Sequence, residues 1–168
     1  MKMRGWILGL ISVLCAAPAP AAVTPDAMIS AFRSICLHNF GDLGQIRNAA
    51  RAAGFRPVPI GTPLPQSLLA SRGELFLVYR GAADRPRLPI PQCHVEMAAA
   101  SDVQFEALTA NVANALGLGQ GTAGTTTQAR YTNWAWHDAS NHALQISLSA
   151  QTLAGEPRLL LNVAPVVP

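Results

Sequence analysis

Lysine is almost missing from this chain, and Lys2 is its only example. Everything after the first few residues is therefore closed to Schiff-base formation and to a lysine general base. Carboxylates are scarce too, with nine Asp and Glu in 168 residues. No spacing brings Glu74, Glu96, Glu106 and Asp138 together as the pair that glycoside hydrolysis needs. There is no G-x-S-x-G, so Ser34, Ser67, Ser71 and Ser101 lack the context of a nucleophile elbow. The apolar run from Trp6 to Ala17 is shorter than the about 20 residues of a membrane span. Cysteine is limited to three, of which only Cys36 and Cys93 lie beyond the first twenty residues.

What is present begins with an export signal. A basic start at Lys2 and Arg4, the apolar run, and the small-residue segment Pro18 to Ala22 form the three parts of a secretory signal peptide. The expected leader is residues 1–21, cut after Ala21, with Ala22 as the alternative. A lipid-modified Cys15 is disfavoured because Leu14 stands where that processing wants a small residue. Residues 22–168 then form a single domain with one core, periplasmic or secreted, with no transmembrane anchor after cleavage. Lys2 and Arg4 leave with the leader, so the formal +3 falls to a single positive charge. A balance so near neutral offers nothing to nucleic acid.

Two thiols in an oxidising compartment read as one disulfide, Cys36 to Cys93. Periodicity agrees. Thr24-Pro25 caps and opens a helix on which Met28, Ile29, Phe32, Cys36 and Phe40 share a face. Leu43, Ile46, Ala50 and Ala53 form the stripe of a second helix, with Gly54 ending it in a left-handed cap. The proline-rich stretch 56–65 reads as an extended loop or edge. "ELFLVYR", residues 74–80, is apolar enough for a strand covered on both faces. In "CHVEM", Cys93, Val95 and Met97 alternate against His94 and Glu96. Ser101-x-x-Gln104 is a capping box for a third helix carrying Phe105, Leu108, Val112 and Ala115, which Gly117 ends. Residues 117–128 read as a flexible Gly/Thr loop. Their G-x-G-x-x-G follows a helix and opens none, so it is no dinucleotide fingerprint and no cofactor is expected. Strands follow at 129–138, 142–150 and 157–167. The sum is an α+β domain of order α-α-β-β-α-β-β-β, two layers, with about five mainly antiparallel strands and three helices on one face.

Chemistry concentrates in "NWAWHDASNHALQI", residues 133–146. Pairing Asp138 with His142 sets Trp136 against Leu144, Trp134 against Ile146 and Thr132 against Leu148, a better match than the register one residue away. It requires a three-residue loop with Asn141 left-handed. Both tryptophans then enter the core. Tyr131, Asn133, His137 and Gln145 lie on the opposite face as a candidate binding surface, and Asp138, His142 and His137 are the candidate catalytic residues at the tip. Cys36 and Cys93 with His38 and His94 make a Cys2His2 zinc set by composition. His94 alternates away from Cys93 and His38 lies across the helix from Cys36, so no metal site is expected.

The segments "FRSIC", "AARAAGF" and "CHVEM", with the leader and a C-terminal antiparallel sheet, resemble a family of uncharacterised small exported proteins of alphaproteobacteria. The resemblance covers most of residues 22–168, implies no activity, and carries across only Cys36 and Cys93 as a disulfide. The expectation is a non-enzymatic binding or inhibitory module whose partner is another periplasmic or cell-envelope protein. A small hydrolase at the 138–142 hairpin is the alternative, followed by a Cys/His metal binder.

Overall fold

The computed structural model describes residues 23–59, 61, 65–82, 90–99 and 102–166, and side chains for all of these except 102–104. The expected leader, its expected cleavage position and the expected Ser101 cap lie outside them.

Helix α1 (Pro25–Ala31) starts as its sequence dictates, with Thr24 Oγ1 accepting from the Ala27 N–H at 3.3 Å. It runs on into a π-helical segment, Phe32–Leu37, marked by the His38 N–H donating to the Arg33 carbonyl. The wider π turn brings positions five apart onto one side. Phe32, Ile35, Cys36 and Leu37 are consequently all buried, whereas Phe40, expected on the same stripe, is only half-buried. The Asn39 amide closes the segment by donating to the carbonyls of Ser34 and Ile35. Helix α2 (Leu43–Ala52) is capped by Asp42, buries Ile46 and Ala50, and ends at Gly54 with φ +82°. Arg72 donates to the Ala53 carbonyl at 2.8 Å and so holds that end against the sheet. The third helix is α3 (Asp102–Leu116), ended by a left-handed Gly117.

The sheet has eight strands where about five were expected: β1 (Arg56–Pro57), β2 (Ser67–Arg72), β3 (Leu75–Arg80), β4 (Gln92–Ala98), β5 (Thr122–Thr125), β6 (Ala129–His137), β7 (Ala143–Leu153) and β8 (Glu156–Pro165). All pairings are antiparallel, in the order β1-β2-β3-β4-β8-β7-β6-β5. Two four-stranded meanders thus meet at a β4–β8 seam. Helix α3 carries the chain from β4 to the far edge, and three hairpins bring it back. The additional strands are β1, β2 and β5. Strand β1 is the proline-bearing edge, and β2 is masked in the sequence by its serines.

Strand β5 corrects the flexible-loop reading of residues 117–128. Gly124 within it and Gly121 just before it allow aromatic rings to lie close: a Cβ at Gly124 would run into the Tyr131 ring, and one at Gly121 would meet Trp134 Nε1 at 2.7 Å. Glycine facing an aromatic across an edge pair is a packing arrangement, which polarity and turn composition disguise as a linker. Gly124→Val should therefore destabilise the fold by about 1–3 kcal/mol, measured by urea unfolding. A neutral result would mean that β5 does not pack there.

Among the described residues the helices cover one sheet face. Leu77, Val95, Leu161, Leu148 and Thr132 form one buried row across β3-β4-β8-β7-β6 beneath them. Cys36 and Cys93 are both fully buried and joined, with Cα atoms 5.5 Å apart, so the π-helical segment is stapled to the seam strand. Strand β3 is not covered on both faces as expected: Leu75, Leu77 and Tyr79 are buried, while Phe76 and Val78 on the other side are half-buried. Among the described residues no helix is long and apolar enough to cross a membrane.

Candidate functional site

The hairpin tip has the predicted register: Trp136 opposite Leu144, Trp134 opposite Ile146, Thr132 opposite Leu148. Asn141 takes φ +63° and its N–H donates to the Asp138 carbonyl at 2.9 Å. One Asp138 carboxylate oxygen accepts from the N–H groups of Ser140 and His142, both at 2.8 Å, and the other lies 2.8 Å from His142 Nδ1. The backbone bond from His142, then its side-chain bond, hold the Asp138 carboxyl below its ordinary range. Such bonds are an aspartate's usual means of closing a turn. The His142 side chain is 74% exposed, and no hydroxyl bonds to its Nε2 among the described residues. Orientation of one ring nitrogen by a carboxylate is half of a nucleophile-activating set; the geometry here supplies that half and a turn. His137 is exposed at the end of β6, facing Ala143.

The two tryptophans part company. Trp134 is 3% exposed in the core, but Trp136 is half-buried and lines a groove with Arg33, His38 and the end of α3. The metal reading fails on the cysteines, which are consumed in the disulfide, and among the described residues no three His, Cys, Asp or Glu groups converge. His38 is exposed on the helix layer and His94 lies on the far sheet face.

That far face is the larger feature. Its central row runs Leu69, Val78, His94, Asn162, Ser147, Asn133 and Thr122, from β2 across to β5. The next row runs Ser71, Phe76, Glu96, Leu160, Ser149, Tyr131 and Gly124. Tyr131, Asn133 and Gln145 are half-buried members of the face, as expected, with the Gln145 amide donating to Ser147 Oγ at 3.1 Å. Its apolar part lies around Phe76, Val78 and Leu160, two strands or more from Tyr131. Asn162 was not anticipated. Its Oδ1 is buried without a hydrogen-bond donor among the described residues, in register between His94 and Ser147. Strand alternation in "RLLLNV" sets it on the face opposite Leu161 and Val163, but only the pairing of β4 with β8 brings it beside His94.

Burial, then the nearby Arg80 charge, lowers the His94 pKa from 6.5 to about 4. Burial likewise raises the Glu96 carboxyl, with Arg158 opposing. A histidine whose folded pKa lies below its unfolded value favours unfolding when protonated. Its contribution is full above pH 6.5 and is lost as pH falls through 6.5 towards 4. The loss should be on the order of 2 kcal/mol after discounting for partial exposure. Thermal unfolding at pH 7 and pH 4.5 should show this, and His94→Gln should remove the histidine's part. Identical pH profiles for the two proteins would refute it.

Comparison with protein-family models, with curated proteins and with solved structures found no match to this chain, and the site therefore stands on its own geometry.

Proposed function

We propose that the protein is a non-enzymatic binding or inhibitory module of the periplasm or the secreted fraction, and that its contact surface is the helix-free sheet face. The observation that carries this reading is the polar row His94, Asn162, Ser147, Asn133 and Thr122 across five adjacent strands, bordered by Phe76, Val78 and Leu160. Within it the Asn162 oxygen has no donor among the described residues. Interaction surfaces outside obligate assemblies combine polar and apolar area in this way and carry direct hydrogen bonds. The buried Cys36–Cys93 bridge and the basic-apolar leader both suit an oxidising, exported location. The partner is another periplasmic or cell-envelope protein, and resemblance to the exported two-cysteine family is consistent with this.

A photo-crosslinking residue at Asn133 or Ser147 tests the surface in cells. It should yield a discrete adduct that Ser147→Arg at the second position abolishes, while a crosslinker at Asn48, exposed on α2, yields none. Equal labelling from both faces would overturn the reading.

A further inference from the structure

A second site lies on the helix side, where α2 crosses the β1–β2 edge. Between Leu43 and Gly73 the sequence carries Arg47, Arg51, Arg56 and Arg72 and no carboxylate. This local excess is invisible in a chain whose charges nearly cancel. Arg47 and Arg51, one helical turn apart, stand over a cavity of about 250 Å³. Its floor is Ala50, Phe55, Leu68 and Ala70, of which Ala50, Phe55 and Ala70 are at most 3% exposed. Small side chains from both elements, Ala50 of α2 and Ala70 of β2, line it. Behind it, Arg72 lies over the Phe55 ring, 5.1 Å from its centre, and so fixes one wall.

Like charges at i and i+4 repel by a few tenths of a kcal/mol. The helix dipole accounts for Arg51 in the last turn, but not for Arg47 a turn earlier. Among the described residues neither guanidinium has a carboxylate within ion-pair distance, and Arg47 makes one long bond, 3.4 Å, to the Ser67 carbonyl. Two guanidinium forks over an apolar cup are complementary to an anionic head on an apolar tail. The cavity is smaller than the ~300–1,000 Å³ of pockets for drug-sized ligands, so the tail is short.

We infer that this cup binds a small organic acid, its carboxylate held by Arg47 and Arg51 and its alkyl tail on Phe55, Leu68 and the two alanines. The site is separate from the sheet face and independent of the function proposed there. The test uses the disulfide-bonded chain 22–168 with octanoate, octan-1-ol and sulfate, read by calorimetric titration and by NMR shifts of the Ala50, Leu68 and Ala70 methyls. Octanoate should saturate and move those methyls, with Arg47→Gln and Arg51→Gln each weakening it roughly tenfold. Arg51→Lys should recover part of the loss. Leu68→Trp, which fills the cup, should block binding while both arginines remain. If octanol binds as tightly as octanoate, if sulfate alone matches it, or if octanoate does not saturate, the site is not one for organic acids.

Discussion

Replacing Cys36 and Cys93 together by alanine is expected to cost about 4 kcal/mol of stability and to lower the melting temperature by roughly 10 °C. The bridge spans 57 residues of sequence. Closing a loop of that size removes entropy from the unfolded chain, and about 4 kcal/mol is what the chain-entropy model assigns to it. Its position adds to the effect. Cys93 is opposite Val163, at the seam where one meander pairs with the other, and the π-helical segment packs on both β4 and β8 there. A domain of this size holds 5–15 kcal/mol in total, so the loss is a large share. Calorimetry of the native protein, of the reduced protein and of the double variant measures it. A change below about 3 °C would show that helix–sheet packing, and not the bridge, holds the layers together.

The second large effect contrasts two neighbours in the Trp- and His-rich hairpin. Trp134→Ala should cost about 3–5 kcal/mol, because the indole is 3% exposed, faces Ile146 and packs against Gly121. His142→Ala should cost no more than about 1 kcal/mol, because its ring is mostly in solvent and its bond to Asp138 is a surface pair. Asp138 itself continues to close the turn through the two backbone N–H groups. Chemical denaturation of the two variants decides between a structural and a reactive reading of the stretch. A His142→Ala protein that matched the tryptophan variant in instability would place the tip histidine in the core economy of the fold.

Local chemistry was legible wherever one residue type does one thing. Thr24 and Pro25 start α1, Gly54 and Gly117 end helices in the left-handed region, and Asn141 shapes the hairpin loop, all as their side chains dictate. Hairpin register was legible for a related reason: slipping by one residue would have turned Trp134 and Trp136 away from Leu144 and Ile146. The cysteine pair followed from its being the pair of thiols beyond the first twenty residues and from alternation. Less visible were elements whose signal is carried by a partner. Strand β5 reads as a linker until Tyr131 is seen against Gly124, and β2, to which the sequence reading assigns no element, appears only when Ala70 is found opposite Leu77. The π turn is likewise undetectable from α spacing, since it appears only in which of Phe32, Ile35 and Leu37 are inside together.

The same division separates the two sites. Strand alternation placed Tyr131, Asn133 and His137 on one face, because the period of a strand is two, and the register of a short hairpin added Gln145. The union of that face with His94 and Asn162 depended on β8 pairing with β4 across some sixty residues of chain, a long-range choice that no local pattern encodes. The arginine cup is similar. The run of arginines without acid was in the sequence, but the apolar floor beneath Arg47 and Arg51 exists only where α2 meets β2. By itself the sequence determined helices, caps, alternation and the thiol pair, since short-range sterics and hydrogen bonding set these. Tertiary structure decided which strands meet, which face is left without helices, and where small side chains leave a cavity, because each depends on packing between segments far apart in the chain.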